Sequence, residues 1–302
     1  MKSLLSMLKA GLKVSAAALG SLAVAIALAY SFHLLQRPAR TSVVKPLFQG
    51  VRYERYARQL PRPLMLHVIS IDLTVPGLRF IATPQGNDPN GKETLADTVP
   101  GFLQKKGVQV AINANFFYPM HVHHPFDYAP LVGEGVNVVG LAVSDGDRYS
   151  EVEADWPALC VVNAQAISIS EGGDCPENTM QAWAGDRYFL QNAQLVPDTD
   201  YGELFPRTVV ALDRSHETMW LVTVDGRQKG YSEGITIAEI AKELIVMGAH
   251  EALNFDGGGS STLAIASGNK AKVLNSPIQA RVPTNLRPVA NHLGLYANPL
   301  QP

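Results

Sequence analysis

The sequence predicts an α+β fold: mixed, largely antiparallel sheets with a few packed helices, forming one folded domain after an N-terminal membrane helix. Three observations carry that expectation. Runs rich in Val, Ile and Thr recur, bounded by Gly, Pro, Asn and Asp, as strands and their turns are. Helical periodicity is confined to a few short stretches. At 302 residues the chain can bury a sizeable core, as one large domain or two small ones.

The N-terminus comes first in that order. Lys2, Lys9 and Lys13 precede an uncharged, mostly apolar stretch from Val14 to Phe32, and Arg37, Pro38 and Arg40 follow it. Its length approaches the ~20 residues that cross a bilayer as a helix. Ala27-Leu28-Ala29 also offers a small-x-small cleavage site, so a cleaved signal peptide competes with an uncleaved anchor. Basic residues on the N-terminal flank keep that end cytoplasmic and export the rest. The expected divisions are a signal-anchor over 1–35, a tether and entry segment over 36–63, and the folded domain over 64–302. The domain is thus expected outside the cytoplasm, membrane-anchored or, after cleavage, secreted.

Charge narrows the partners. The net charge is -2; subtracting the five basic residues of 1–40 leaves -7 on 41–302. A folded part so balanced lacks the basic surface of sequence-independent nucleic-acid binding, so no nucleic acid is expected. Cys160 and Cys175 flank a strand-like pair of segments. In an exported domain a bridge closing that loop is the expectation, with two unpaired thiols as the other reading.

Residues 64–83 alternate apolar and polar on both sides of Pro76-Gly77, which predicts a strand pair. Thr98 opens a short helix with Pro100 in its first turn and Gly107 to stop it. VQVAIN is a buried strand running into Asn113-Ala114-Asn115, and 118–135 is a long loop rich in His and Pro. Strands follow near 136–143 and 158–170, with a turn at 144–147 and a strand pair over 183–196. Segments 207–213 and 219–225 are strands joined by a polar turn. Thr236 to Met247 is the clearest helix: Thr236 and Glu239 form a capping box, Ile237, Ile240, Ala241, Leu244 and Ile245 share a face, and Gly248 ends it. ALNFDGGGSSTLAIA is strand, glycine turn, strand.

Polar residues concentrate where three apolar strands end, at 222–234, 252–262 and 285–294. Asp225 and Asp256 each stand one step beyond a strand and each precedes glycine, which permits a tight turn or close approach of a ligand. Asp225 can equally cap its turn. Gly257-Gly258-Gly259-Ser260-Ser261-Thr262 can present backbone N–H groups to an anion, or be a sharp turn and no more. It is neither a Walker A loop, lacking GKS or GKT, nor a G-x-S-x-G elbow. HVHHP at 121–125 places His121 and His123 on one side with Asp127 near. One loop rarely completes a metal site, so no metal cofactor is expected, and a divalent cation there is the competing reading.

Together these segments resemble the phosphodiester glycosidase family. PRT before a strand, VDGRQKGYSEG before a helix, and ALNFDGGGSST carry the likeness over 207–262. RPVANHLG is similar to the family's closing segment, and INANFF to its INGGFF-like element, with Ala114 and Asn115 in place of glycines. QAWAG is similar to a weaker small-residue element, where Asp186 and Arg187 are unusual. The resemblance covers roughly 65–296. It implies a hydrolase that breaks the anomeric C–O bond of a sugar-1-phosphodiester through an oxocarbenium-like state. It further implies Asp256, then Asp225, as the catalytic carboxylate, with Arg207, Arg227 and Arg287 on the phosphate. Gly258, Gly259, Ser260, Ser261 and Thr262 would assist, and Asn115, Tyr231, Asn254 and Asn291 would meet the substrate. The asparagines can equally satisfy buried backbone and Tyr231 can simply pack. A glycan-binding module without catalysis, or a phosphodiesterase cutting the P–O bond, are the rival functions.

Overall fold

The computed structural model describes residues 20, 21, 23–200 and 202–301. Residues 14–19 and 22 of the apolar stretch 14–32 lie outside the described residues; within them 23–35 is helical and, apart from half-buried His33, solvent-exposed. Among the described residues no helix is long and apolar enough to cross a membrane.

The fold is α+β, built on antiparallel sheets. The largest has eight strands, in the order Val43–Phe48, Val51–Arg58, Leu64–Asp72, Thr218–Val224, Arg207–Leu212, Glu251–Phe255, Arg187–Gln191 and Gln194–Leu195. Every neighbouring pair runs antiparallel. A five-stranded sheet joins Lys270–Val273, Leu263–Ser267, Val110–Asn113, His292–Tyr296 and Arg79–Ala82; a second joins Asp147–Ser150, Ala142–Ser144, Gln181–Ala184, Ala158–Asn163 and Ala166–Ser170. One core is shared by all three, with Ile69, Val210 and Leu253 from the large sheet, Ile112 and Leu293 from the second, and Leu159 and Trp183 from the third.

Two helices cover outer faces. Helix α1 (Val99–Lys106) starts at Thr98, whose hydroxyl accepts from the Gly101 N–H, and ends at left-handed Gly107. It packs Val99, Phe102 and Leu103 on the second sheet. Helix α2 (Ile237–Met247) has the predicted capping box of Thr236 and Glu239, a device whose loss costs ~1 kcal/mol. Ile237, Ile240, Ala241 and Leu244 pack on the far side of the large sheet. Ile245, read as part of that face, is 38% exposed.

Two expectations change. Residues 43–58 are not tether: they form two strands of the large sheet, so the boundary expected at 64 falls inside it. VRYERYAR buries Val51, Tyr53 and Glu54 and leaves Arg52 and Arg58 exposed, and Pro46 fits because its strand is the sheet's edge. The segments 64–72 and 79–82 are strands but not partners. Leu64–Asp72 already has a neighbour on each side, and Arg79–Ala82 pairs with His292–Tyr296 in another sheet. The strands flanking the glycine turn likewise belong to different sheets, so 256–262 crosses between them. Cys160 and Cys175 are joined by a disulfide.

Candidate active site

Register builds the site. Arg207 opens its strand opposite Val224, and Thr208 stands opposite Phe255. Asp225 and Asp256, each the next residue of its strand, therefore leave the large sheet at the end where Arg207 enters. Arg187 pairs with Asn254 at that end too, bringing Asp186 beside it. The glycine turn then folds over the sheet's end. The Gly258 N–H donates to the Pro206 carbonyl at 2.9 Å, with Gly258 in the left-handed region at φ 60°. At Gly259 a Cβ would lie 2.4 Å from an Arg287 terminal nitrogen, so a side chain there would push that guanidinium out of its place over the turn.

Asn113 fixes both ends of the turn. Its side-chain N–H donates to the Asp256 carbonyl at 2.6 Å, and its Oδ1 accepts from the Thr262 N–H and the Thr208 hydroxyl, each at 3.0 Å. Asn113 was not among the residues expected at the site; it and Asn115 both stand where a buried strand ends, and sequence position alone does not tell them apart.

A cleft of about 340 Å³ opens here, lined by Asp186, Arg187, Glu203, Arg207, Arg227, Asn254, Asp256, Gly257–Gly259 and Arg287, with Phe116, Met120, Phe205 and Pro206. Arg207 is held by carbonyls, its Nε–H donating to Ile235 and a terminal nitrogen to Glu203. Arg287 donates to the Gln279 side-chain oxygen at 2.8 Å and the Ser260 hydroxyl at 3.2 Å. Arg227 lies over the Phe205 ring, 4.9 Å from its centroid. Among the described residues no carboxylate forms an ion pair with these three guanidiniums; the cleft's ion pair is Arg187–Asp186, at 2.6 Å. Burial lowers the pKa of Arg207, Arg227 and Arg287, yet a guanidinium stays charged. Arg207 and Arg287 are buried and Arg227 is exposed; Asp256 offsets part of the charge of Arg227 and Arg287 from a distance, and a bound anion would offset more.

Asp256 is the buried carboxylate of the cleft. Burial pushes its pKa up to about 6; the Asp186 charge adds to the rise, while a Ser260 hydrogen bond and the Arg287 charge oppose it. Asp186, unusual at its place in the sequence, is a second carboxylate of the cleft beside exposed Glu203, and is held by Arg187 and by the Asn254 amide at 2.7 Å. Asn254 Oδ1 is buried without a hydrogen-bond partner among the described residues, as are the Ser261 and Thr262 hydroxyls.

Several predicted site residues stand outside this cleft. Asp225 is fully buried behind it. One of its oxygens accepts from the Asn275 amide at 3.0 Å and the Ser276 N–H at 2.8 Å, and the other meets His67 Nε2 at 3.2 Å. Its acceptors are occupied and it does not face the cleft, which corrects its assignment as an alternative catalytic carboxylate. Asn115 donates to the Val139 and Leu141 carbonyls, and Asn291 donates to Asn115. Both satisfy buried polar groups rather than face a ligand, which corrects their assignment to substrate. The Tyr231 hydroxyl donates to the Pro38 carbonyl, bracing the N-terminal segment. Ser260 stands behind Arg287, and Ser261 and Thr262 are buried in the turn, so none of these three lines the cleft. His121, His123 and Asp127 come together on a hairpin, with one donor atom from each within 4.8 Å of the others.

A phosphodiester glycosidase family model matches residues 106–296. The chain belongs to the phosphodiester glycosidase family. The match takes in the three arginines, Asp186, Asp256 and the glycine turn. Solved structures share the fold at low identity. The catalytic domain of zebrafish N-acetylglucosamine-1-phosphodiester alpha-N-acetylglucosaminidase, auto-inhibited by its pro-peptide, is 17% identical with a TM-score of 0.55, over 88% of this chain and 93% of that one. A putative exported protein from Burkholderia pseudomallei is 16% identical with a TM-score of 0.54, over 78% and 74%. A hypothetical protein from Synechocystis is 14% identical with a TM-score of 0.56, over 87% of this chain and 64% of that chain's length. Comparison with curated proteins finds no match.

Proposed function

We propose that this phosphodiester glycosidase hydrolyses a sugar-1-phosphodiester of an extracytoplasmic glycoconjugate at the anomeric C–O bond. One observation carries the reading: Arg207, Arg227 and Arg287, none ion-paired to a carboxylate among the described residues, converge with buried Asp256 in a single cleft. The guanidiniums hold the phosphate, and Asp256 faces the neighbouring sugar carbon. As the C–O bond breaks, its electron pair leaves with the phosphate, and positive charge grows on the anomeric carbon, where an ionised Asp256 stabilises it. Water then adds its oxygen to that carbon and gives up a proton to the released phosphate monoester. The departing group is a phosphate monoester with a second pKa of ~6, so it needs no general acid. Asn254 Oδ1, with no partner among the described residues, is an acceptor for a sugar hydroxyl.

The test is hydrolysis of N-acetylglucosamine-1-phosphoglycerol in heavy-oxygen water. The expected product carries the label on the sugar. Label on phosphate would mean P–O cleavage, and binding of a glycan without release above background would mean a module without catalysis. The same reading holds the domain outside the cytoplasm by segment 14–32, a setting that suits the Cys160–Cys175 disulfide. Membrane flotation of the full chain, with protease reaching the domain only from the outer side, is the expected behaviour.

A further inference from the structure

A second cavity, of about 700 Å³, adjoins the first, and Arg227 and Arg287 line both. Arg37, Lys229 and Arg281 also line it, making five cations, and no carboxylate is among its lining residues. The chain as a whole has more acidic than basic residues, 27 against 25, so this grouping is local and not a reflection of composition. None of the five forms an ion pair among the described residues. Arg37 Nε is buried with no acceptor; its guanidinium lies over the Tyr231 ring instead, 4.9 Å from the centroid. Five like charges around one cavity repel one another, and an anion bound there removes the penalty.

The shared arginines orient the two spaces. With the scissile phosphate on Arg227 and Arg287 and the sugar on the Asp256 side, the group on the phosphate's other ester oxygen passes into this second cavity, whose charged lining residues are all cations. We propose that this cavity is the aglycone subsite and takes a group bearing at least one further phosphate. The inference rests on the reading of the cleft as a sugar-phosphodiester site, and it narrows the substrate to one with two or more phosphates in line. Phosphate on a soluble polymer and phosphate on a lipid headgroup share this chemistry.

The test separates subsite from chemistry. Binding of inorganic tripolyphosphate and orthophosphate to the wild-type protein is measured by calorimetry, at low and at physiological salt, and repeated on K229A/R281A. Both side chains are exposed, and circular dichroism checks that the fold is kept. Tripolyphosphate is expected to bind at least about tenfold tighter than orthophosphate, an advantage that shrinks with salt and is largely lost in the double variant. Equal binding of the two anions, or tripolyphosphate affinity untouched in K229A/R281A, overturns the proposal whether or not any sugar is released. In parallel, N-acetylglucosamine-1-phosphoglycerol is compared with the same compound carrying a terminal phosphate. The wild-type preference for the phosphorylated form, read as a KM ratio, falls toward unity in the variant. If neither compound is turned over while tripolyphosphate binds as described, the glycosidase reading fails and the anion subsite stands. Recruitment to phosphatidylcholine vesicles doped with phosphatidic acid, lost in K229A/R281A, assigns the phosphate to lipid. A variant-sensitive tripolyphosphate site without vesicle recruitment assigns it to a soluble chain.

Discussion

Replacing Asp256 by asparagine separates chemistry from stability, because the two should move in opposite directions. Burial raises this carboxyl from 3.8 to about 6. A group whose folded pKa is raised contributes most below its unfolded pKa, and that contribution is lost as pH rises through the folded value. Native Asp256 is therefore a liability above pH 6: ionising it in place costs, as an upper bound, roughly 3 kcal/mol relative to the unfolded chain. D256N removes that cost and keeps the shape, but it also leaves Arg287 without the charge that offsets its own burial. The net expectation is a gain of about 1–3 kcal/mol at pH 7.5 that disappears near pH 4. Turnover should fall by about 10³ or more, since an amide cannot carry the charge that stabilises the cation. Urea unfolding at the two pH values and single-turnover release of sugar read the two effects. A variant that is inactive and equally destabilised at both pH values would refute the argument, because it would make Asp256 a structural residue. In the wild type, turnover should rise with pH through about 6 as Asp256 ionises.

D225N tests the opposite assignment. Its amide sets a donor against the donors of Asn275, Ser276 or His67, so a loss of about 2–3 kcal/mol in urea unfolding is expected, with kcat of the folded fraction within about tenfold of wild type. D186N removes the charge that helps raise Asp256, so the pH–rate midpoint should move down as read by initial rates, whereas a purely structural Asp186 would leave it in place. G259A drives a Cβ into Arg287 and should raise KM by about tenfold with little change in thermal midpoint. Chelation by EDTA should leave sugar release unchanged, since the proposed chemistry runs on carboxylate and guanidinium. A collapse of rate would instead bring the His121, His123 and Asp127 group into the mechanism.

Much of this was open to reading because it is local. The caps of α2 are set by Thr236, Glu239 and Gly248 within one segment, and the structure has them as the sequence implies. The strand ends at 224 and 255 were visible as apolar runs stopping at Asp-Gly. Residues 43–58 were obscured because Pro46 and their charges suggested tether, and because VRYERYAR alternates only over Val51 to Glu54. What was not legible depends on long-range pairing. Asp186 reaches the cleft only because Arg187 pairs with Asn254, a partner 67 positions away.

The two aspartates make the point most sharply, since each is an apolar strand followed by Asp-Gly. Neither composition nor spacing distinguishes them. Asn275 and Ser276, which arrive after the chain has crossed to the second sheet, close over Asp225 and occupy its oxygens. Asp256 receives no such cover. Its partners are the Ser260 hydroxyl and the N–H of Gly257, both from its own turn, and the cleft lies beside it. A carboxylate saturated by buried donors holds a fold together, while one that is buried but left incompletely solvated has a raised pKa and can respond to charge developing on a ligand. The difference between the scaffold carboxylate and the one proposed for catalysis is therefore set by which later segment folds over the strand end, and not by the aspartate itself.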